Sequence, residues 1–186
     1  LNIHLTLVPY IKAARELKTK PTQHSVKALL EIGIQPDILI CRTERPLSHD
    51  IRGKIALFCN VEVEAVIDAV DVPSIYEVPL HFHAEGLDDL VLRKLRVQSG
   101  PPDLRRLEQF VARVKEPARE VTIGVCGKYT GLKDAYKSIV EAFVHAGAEN
   151  DARVKLAWID AEEIERAGSA DALLETCSGI LVPGGF

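Results

Sequence analysis

The sequence contains no methionine, no CxxC pair, no block of five or more like charges, no internal repeat and no apolar run approaching the ~20 residues of a membrane span. Each absence excludes something. The 27 acidic and 23 basic residues are spread along the chain for a net charge of −4, so nothing marks a nucleic-acid or polybasic membrane partner. The four cysteines, Cys41, Cys59, Cys126 and Cys177, are spaced neither as a metal site nor as a dense disulfide framework, and they read as buried thiols of a reducing cytosol. With no charged leader ahead of a signal core, the expectation is a soluble, cytoplasmic chain. The missing Met, together with Leu1 opening directly into an apolar run, leads us to expect part of a longer reading frame.

What is present is ordinary globular material, 47% hydrophobic and 27% charged. A length of 186 residues holds one domain or pieces of two. Short β-branched runs at 3–8, 37–41, 65–70, 121–126, 154–159 and 179–182 read as strands. Their near-continuous apolarity predicts burial on both faces, as in a parallel sheet. Pro21 opens a helix with Val26, Leu29 and Leu30 on one face and Gly33 at its end. A second helix from about Ser48 carries Ile51, Ile55 and Phe58. This alternation predicts an α/β fold. It is broken at 98–120, where a Ser-Gly-Pro-Pro turn precedes a helix bearing Leu104, Leu107, Val111 and Val114 and closed by Pro117. We read 98–120 as a linker between a first piece, 1–97, and a second, 121–186.

The densest polar feature is KTKPTQHSV at 18–26. Two lysines, two threonine hydroxyls and Gln23 converge on a helix N-terminus, where free N–H groups and the macrodipole favour an anion such as a phosphate. The plainer alternative is that Thr19 or Thr22 caps the helix and the lysines are merely solvated. Lys54 lies beside an apolar stripe, where a snorkelling lysine is the default. Asp71-Val72-Pro73 follows a strand, at the end where open α/β sheets bind ligands, or it is a capped turn. His81 and His83 have no third ligand nearby in sequence, so we read them as surface histidines rather than a metal site. Gly127-Lys128 lacks the outer glycine and hydroxyl of a phosphate loop. Pro183-Gly184-Gly185-Phe186 after a strand is a tight turn, or a place where backbone N–H groups approach an oxyanion.

Taken in order, HLTLVPY (4–10), KTKPTQHSV (18–26), GIQPDILICR (33–42), KIALFCNV (54–61), DVPSIYEVP (71–79), GLDD (86–89), GKY (127–129), DAYKSI (134–139) and ILVPGGF (180–186) resemble the CTP synthase family. The resemblance runs the length of the chain. It implies that 1–97 is the C-terminal part of a parallel-sheet, P-loop-type amidoligase (synthetase) domain. Residues 121–186 would be the N-terminal part of a Rossmann-like class I glutamine amidotransferase domain. It further implies an ATP-dependent amination of UTP to CTP with ammonia from glutamine, CTP as feedback inhibitor, GTP as activator and a homotetramer. By the family pattern, Lys18, Thr19, Lys20, Pro21, Thr22, Gln23 and Lys54 bind UTP or CTP across a subunit interface. Val70, Asp71 and Val72 lie beside the adenine of ATP, although Val70 departs from the expected basic residue, and Gly185 holds glutamine at the oxyanion hole. The phosphate loop and the acidic ligands of the Mg2+ that accompanies ATP belong upstream, and the Cys-His-Glu catalytic residues downstream. No catalytic residue and no metal ligand is therefore expected within the chain. Two other readings remain: a catalytically silent scaffold or oligomerisation piece, and a different amidotransferase-coupled amidoligase such as a cobyrinic acid synthetase, against which KTKPTQ discriminates.

Overall fold

A computed structural model describes residues 1–128 and 133–184. The chain divides into two compact units, Leu1–Leu104 and Arg105–Phe186.

The first unit runs β1 (Ile3–Leu7), a two-stranded antiparallel hairpin of β2 (Tyr10–Ile11) and β3 (Glu16–Leu17), α1 (Lys20–Glu31), β4 (Ile38–Thr43), α2 (His49–Cys59), β5 (Val66–Val70), α3 (Val78–Ala84) and α4 (Leu87–Leu95). Strands β1, β4 and β5 form a parallel sheet with β4 in the centre, Leu5 opposite Ile40 and Ile40 opposite Ile67. Parallel neighbours need a crossover, and α1 and α2 supply it. Helix α1 carries Pro21 in its first turn and ends before Gly33, whose φ of +82° a residue with a Cβ rarely adopts. Its buried line is Thr22–Val26, with Leu29 half-buried; Leu30, expected on the same face, is exposed. Helix α2 is capped by the Ser48 hydroxyl, which accepts from the Ile51 N–H at 3.4 Å. It buries Ile55 and Cys59 at a spacing of four, so Phe58, expected to share the Ile55 stripe, is turned out to solvent.

Two apolar layers cover the sheet. Val8, Val26, Leu39, Cys41, Ile55, Cys59 and Val66 pack between the sheet, α1 and α2. On the opposite face Ile38, Ile67, Leu87 and Leu90 form a second cluster with Phe82 against it. β4 is therefore enclosed on both faces and β5 along most of its length, as their near-continuous apolarity predicts. The edge strand β1 is not: Thr6 and Val8 point into the core, whereas Ile3, Leu5 and Leu7 alternate with them and are exposed.

The second unit runs α5 (Arg105–Lys115), β6 (Arg119–Gly127), α6 (Lys137–Glu149), β7 (Ala152–Asp160), α7 (Ala161–Ala167), α8 (Asp171–Leu174) and β8 (Gly179–Leu181). Its parallel sheet has the order β7-β6-β8. The helix read as part of a linker packs on this unit: Phe110 and His145 stack with ring centroids 5.1 Å apart, and Arg113 Nη1 donates to the Ala148 carbonyl at 3.5 Å. β6 likewise begins at Arg119, inside the stretch 98–120. Among the described residues no helix is long and apolar enough to cross a membrane.

Candidate functional site

The N-terminus of α1 is built by the hairpin that follows β1. Leu17 packs against the core, so its neighbours Glu16 and Lys18 share the opposite side of the chain and form an ion pair. The Lys18 N–H donates to the Pro9 carbonyl at 2.9 Å, fixing the backbone just ahead of the helix. Thr19 is the N-cap residue, but its hydroxyl takes up no helix N–H; it accepts from the Gln23 side-chain amide at 3.0 Å. Thr22 is fully buried and donates to the Leu7 carbonyl at 3.0 Å, while the Thr6 hydroxyl donates to Thr22 Oγ1 at 3.3 Å. Neither threonine is thus a side-chain cap. The Thr22 hydroxyl ties α1 to β1, that of Thr19 is taken up by Gln23, and the first-turn N–H groups keep the partial positive charge of a helix start without a side-chain cap. Lys20 and Pro21 are exposed there.

Lys54, on α2, belongs to the same neighbourhood. The Lys18 hydrogen bond and charge hold the Glu16 carboxyl below its ordinary range, and the charge of Lys54 adds to them. Lys18 and Lys20 thus flank the N-cap of α1, and the charge of Lys54 reaches the Glu16 carboxylate beside them.

A second feature lies at the C-terminal end of β5. Val70, Asp71 and Val72 line a cavity of about 280 Å³ whose other walls include Arg42 from β4 and His81 and Phe82 from α3. Arg42 Nε lies 3.5 Å from Asp71 Oδ1, and the Asp71 N–H donates to the Thr43 carbonyl at 3.1 Å, continuing the sheet by one bond. Leu5 and Arg42 also line an open groove with Pro21 and Ser25, so the exposed side of β1 leads from α1 to this cavity.

Beneath the cavity is a charge cluster that the sequence reading did not find. Asp68, 2% exposed, accepts from the Leu47 N–H at 3.0 Å and from His81 Nε2 at 3.2 Å, and pairs with Arg52 Nη2 at 3.1 Å. The same Arg52 nitrogen meets Glu85 at 2.6 Å, and Arg52 donates to the Leu47 and Val66 carbonyls. The available signal was one acidic residue inside the apolar run Val66-Ile67-Asp68-Ala69-Val70. His81 and His83, read as surface histidines, are both half-buried and each faces a carboxylate, His83 Nδ1 lying 2.6 Å from Asp88 Oδ2. Among the described residues no three His, Cys, Asp or Glu side chains are arranged to hold a metal ion. Cys41 and Cys59 are buried, and burial, reinforced by Cys59, pushes the Cys41 thiol up to about 12. Gly185 and Tyr129 lie outside the described residues.

The family model described as the CTP synthase N-terminus matches residues 1–97, the part that carries both features. The chain belongs to the CTP synthase family. Among its relatives, the CTP synthase of Koribacter versatilis is 60% identical over 187 residues, covering 100% of this chain and 34% of that protein. The CTP synthase of Methanocaldococcus jannaschii is 57% identical over 192 residues, covering 100% of the chain and 35% of the relative. That of Chloroherpeton thalassium is 57% identical over 189 residues, with 100% and 34% covered. The chain thus spans about a third of the length of the curated CTP synthases it matches, and the matches extend across both of its units.

Proposed function

We propose that the chain is the nucleotide-binding and inter-domain segment of a glutamine-hydrolysing CTP synthase. In this reading Lys18, Lys20 and Lys54, with the uncapped start of α1, hold the triphosphate of UTP, or of CTP as feedback inhibitor. Thr19, Pro21, Thr22 and Gln23 shape that start: the two hydroxyls and the amide are spent on internal bonds, so they hold the first turn in place. Val70, Asp71 and Val72 bound the slot for the adenine of ATP. The observation that carries the reading is that both features lie at the C-terminal ends of strands of one parallel sheet, where ligands of open α/β sheets bind.

The chemistry follows from leaving-group strength. Uracil O4 is a poor leaving group. ATP transfers its γ-phosphoryl group to O4, ADP departs, and ammonia then adds at C4 and expels inorganic phosphate. The lysines act by charge and position on a polyanion. They need move no proton. Magnesium would accompany ATP, and among the described residues no three His, Cys, Asp or Glu side chains are arranged to hold it.

The second unit is proposed as the beginning of a class I glutamine amidotransferase domain, with the Gly185 N–H beside bound glutamine. Support for this is its parallel β7-β6-β8 sheet with β8 leading into Pro183-Gly184, together with relatives whose similarity runs through 186. GTP activation, a homotetramer and a cytoplasmic setting are parts of the same proposal.

The test is UTP saturation in the full-length enzyme. Replacing Lys18 and Lys20 by Ala abolishes saturation by UTP and leaves glutamine hydrolysis intact. Unaltered UTP kinetics in the double variant overturn the assignment.

A further inference from the structure

The anion site has an occupant of its own. Glu16 stands two residues before Lys18, and because Leu17 between them packs into the core, both side chains emerge on the same side. The Lys18 ammonium is engaged by the Glu16 carboxylate rather than standing free, and Lys54 from the neighbouring helix acts on the same carboxylate. The backbone on either side is fixed: Glu16 is paired with Ile11 and Leu17 with Tyr10, and the Lys18 N–H is bonded to Pro9. Glu16 is thus held where an incoming phosphate must compete with it.

We propose that Glu16 is an affinity-setting stand-in anion: its carboxylate occupies Lys18 when no nucleotide is bound and is displaced by a phosphate group of the triphosphate. The proposal rests on Lys18 and Lys54 being the triphosphate site. Glu16 makes two opposed contributions. It holds the Lys18 ammonium in one place ahead of α1, and it raises the free energy of binding by the ion pair that must be given up. Both partners are about half exposed, with side chains 46% and 53% accessible, so the exchange is modest and weakens as salt rises. Because Glu16 competes at the phosphate end, its effect is the same for any ligand that places a polyphosphate there and does not depend on the base.

The test is direct binding of UTP, and separately of inorganic tripolyphosphate, to the full-length enzyme and to its Glu16→Gln, Glu16→Asp and Lys18→Ala variants. Glu16→Gln tightens both ligands by about three- to fivefold at low salt, and the gain shrinks at high salt. Glu16→Asp, which keeps the charge, stays close to the parent. In the Lys18→Ala background the Glu16→Gln change tightens the ligands by less than about twofold, since the lysine it chiefly competes for is gone and only the weaker pull of Lys54 remains. If Lys18→Ala weakens UTP while Glu16→Gln leaves it unchanged or weaker, the stand-in role is overturned and the triphosphate site survives. If Lys18→Ala itself leaves UTP binding unchanged, the site falls and the role of Glu16 falls with it.

Discussion

Removing the Asp68 carboxylate is the sharpest test of how the first unit is held together. The group is 2% exposed and receives three donors: the Leu47 N–H at 3.0 Å, Arg52 Nη2 at 3.1 Å and His81 Nε2 at 3.2 Å. These come from the loop before α2, from α2 and from α3, so one side chain on β5 fastens three segments. In Asp68→Ala the Leu47 N–H loses its acceptor and Arg52 loses one of its two carboxylates, while His81 Nε2 keeps the Asp68 backbone carbonyl at 3.0 Å. Deleting one member of a buried ion pair typically costs about 3–5 kcal/mol, because the partner is left buried and uncompensated. Arg52 keeps Glu85 at 2.6 Å and two backbone carbonyls, which puts the expected loss at the lower end, about 3 kcal/mol. Amide hydrogen exchange reads this locally. When opening is rapid, about 3 kcal/mol is roughly a hundredfold faster exchange, since each 1.4 kcal/mol is tenfold. The acceleration is expected over 38–43 and 66–70, the strands β4 and β5. Asp68→Asn, which keeps the volume and one acceptor, falls between the two. A change of less than about threefold in those strands for Asp68→Ala would refute the reasoning.

Two further outcomes follow from packing and burial. A Cβ on Gly147 of α6 meets the Ala152 carbonyl oxygen at 2.5 Å, so Gly147→Ala lowers the stability of the second unit by about 1–3 kcal/mol despite alanine's better helix propensity. Emission of Trp158, which lies on β7 with its ring 5.5 Å from Tyr136, reports this as an earlier denaturation midpoint, and an unchanged or later midpoint contradicts the close approach. Cys41 and Cys59 are shielded, whereas Cys126 and Cys177 are half-buried, so brief alkylation of the native protein at pH 8 followed by mass spectrometry marks the latter two first. The Cys41 thiol, at about 12 in the fold against 9.0 unperturbed, keeps its proton where the unfolded chain releases one. Stability from this group is therefore complete below pH 9 and declines as pH rises from 9 toward 12, by at most about 1.4 kcal/mol per unit. Prompt labelling of Cys41, or no alkaline decline beyond that of a Cys41→Ala variant, counts against its burial.

The alternation of strands and helices was legible because period and punctuation agree: Pro21 and Gly33 bracket α1, and Ser48 opens α2 with its hydroxyl on the Ile51 N–H. The burial of β4 on both faces was legible for the same reason. The alternation along β1 was not, since Ile3, Leu5 and Leu7 are as apolar as any core residue and nothing local sets them apart from the inward Val8. Helix phase was read one residue off in α2, where Ile55 is compatible with either Phe58 or Cys59 as its inward successor and packing selects Cys59. At the candidate site the residue types of 18–23 pointed to an anion. The division of labour among them did not show in the sequence: the lysines reach outward, and the threonines are bonded inward to β1 and to Gln23. Asp68, Arg52 and His81 come from three separate segments, and pairing across such distances has no local signature.

The central claim is that one parallel sheet of the first unit serves two nucleotides at two places. Hydrogen exchange of the full-length enzyme with each nucleotide alone measures it directly. Saturating UTP is expected to slow exchange over 18–26 and around Lys54, and a non-hydrolysable ATP analogue to slow it over 69–74. Exchange over 18–26 that is indifferent to UTP, or a single segment protected by both nucleotides alike, would contradict the account.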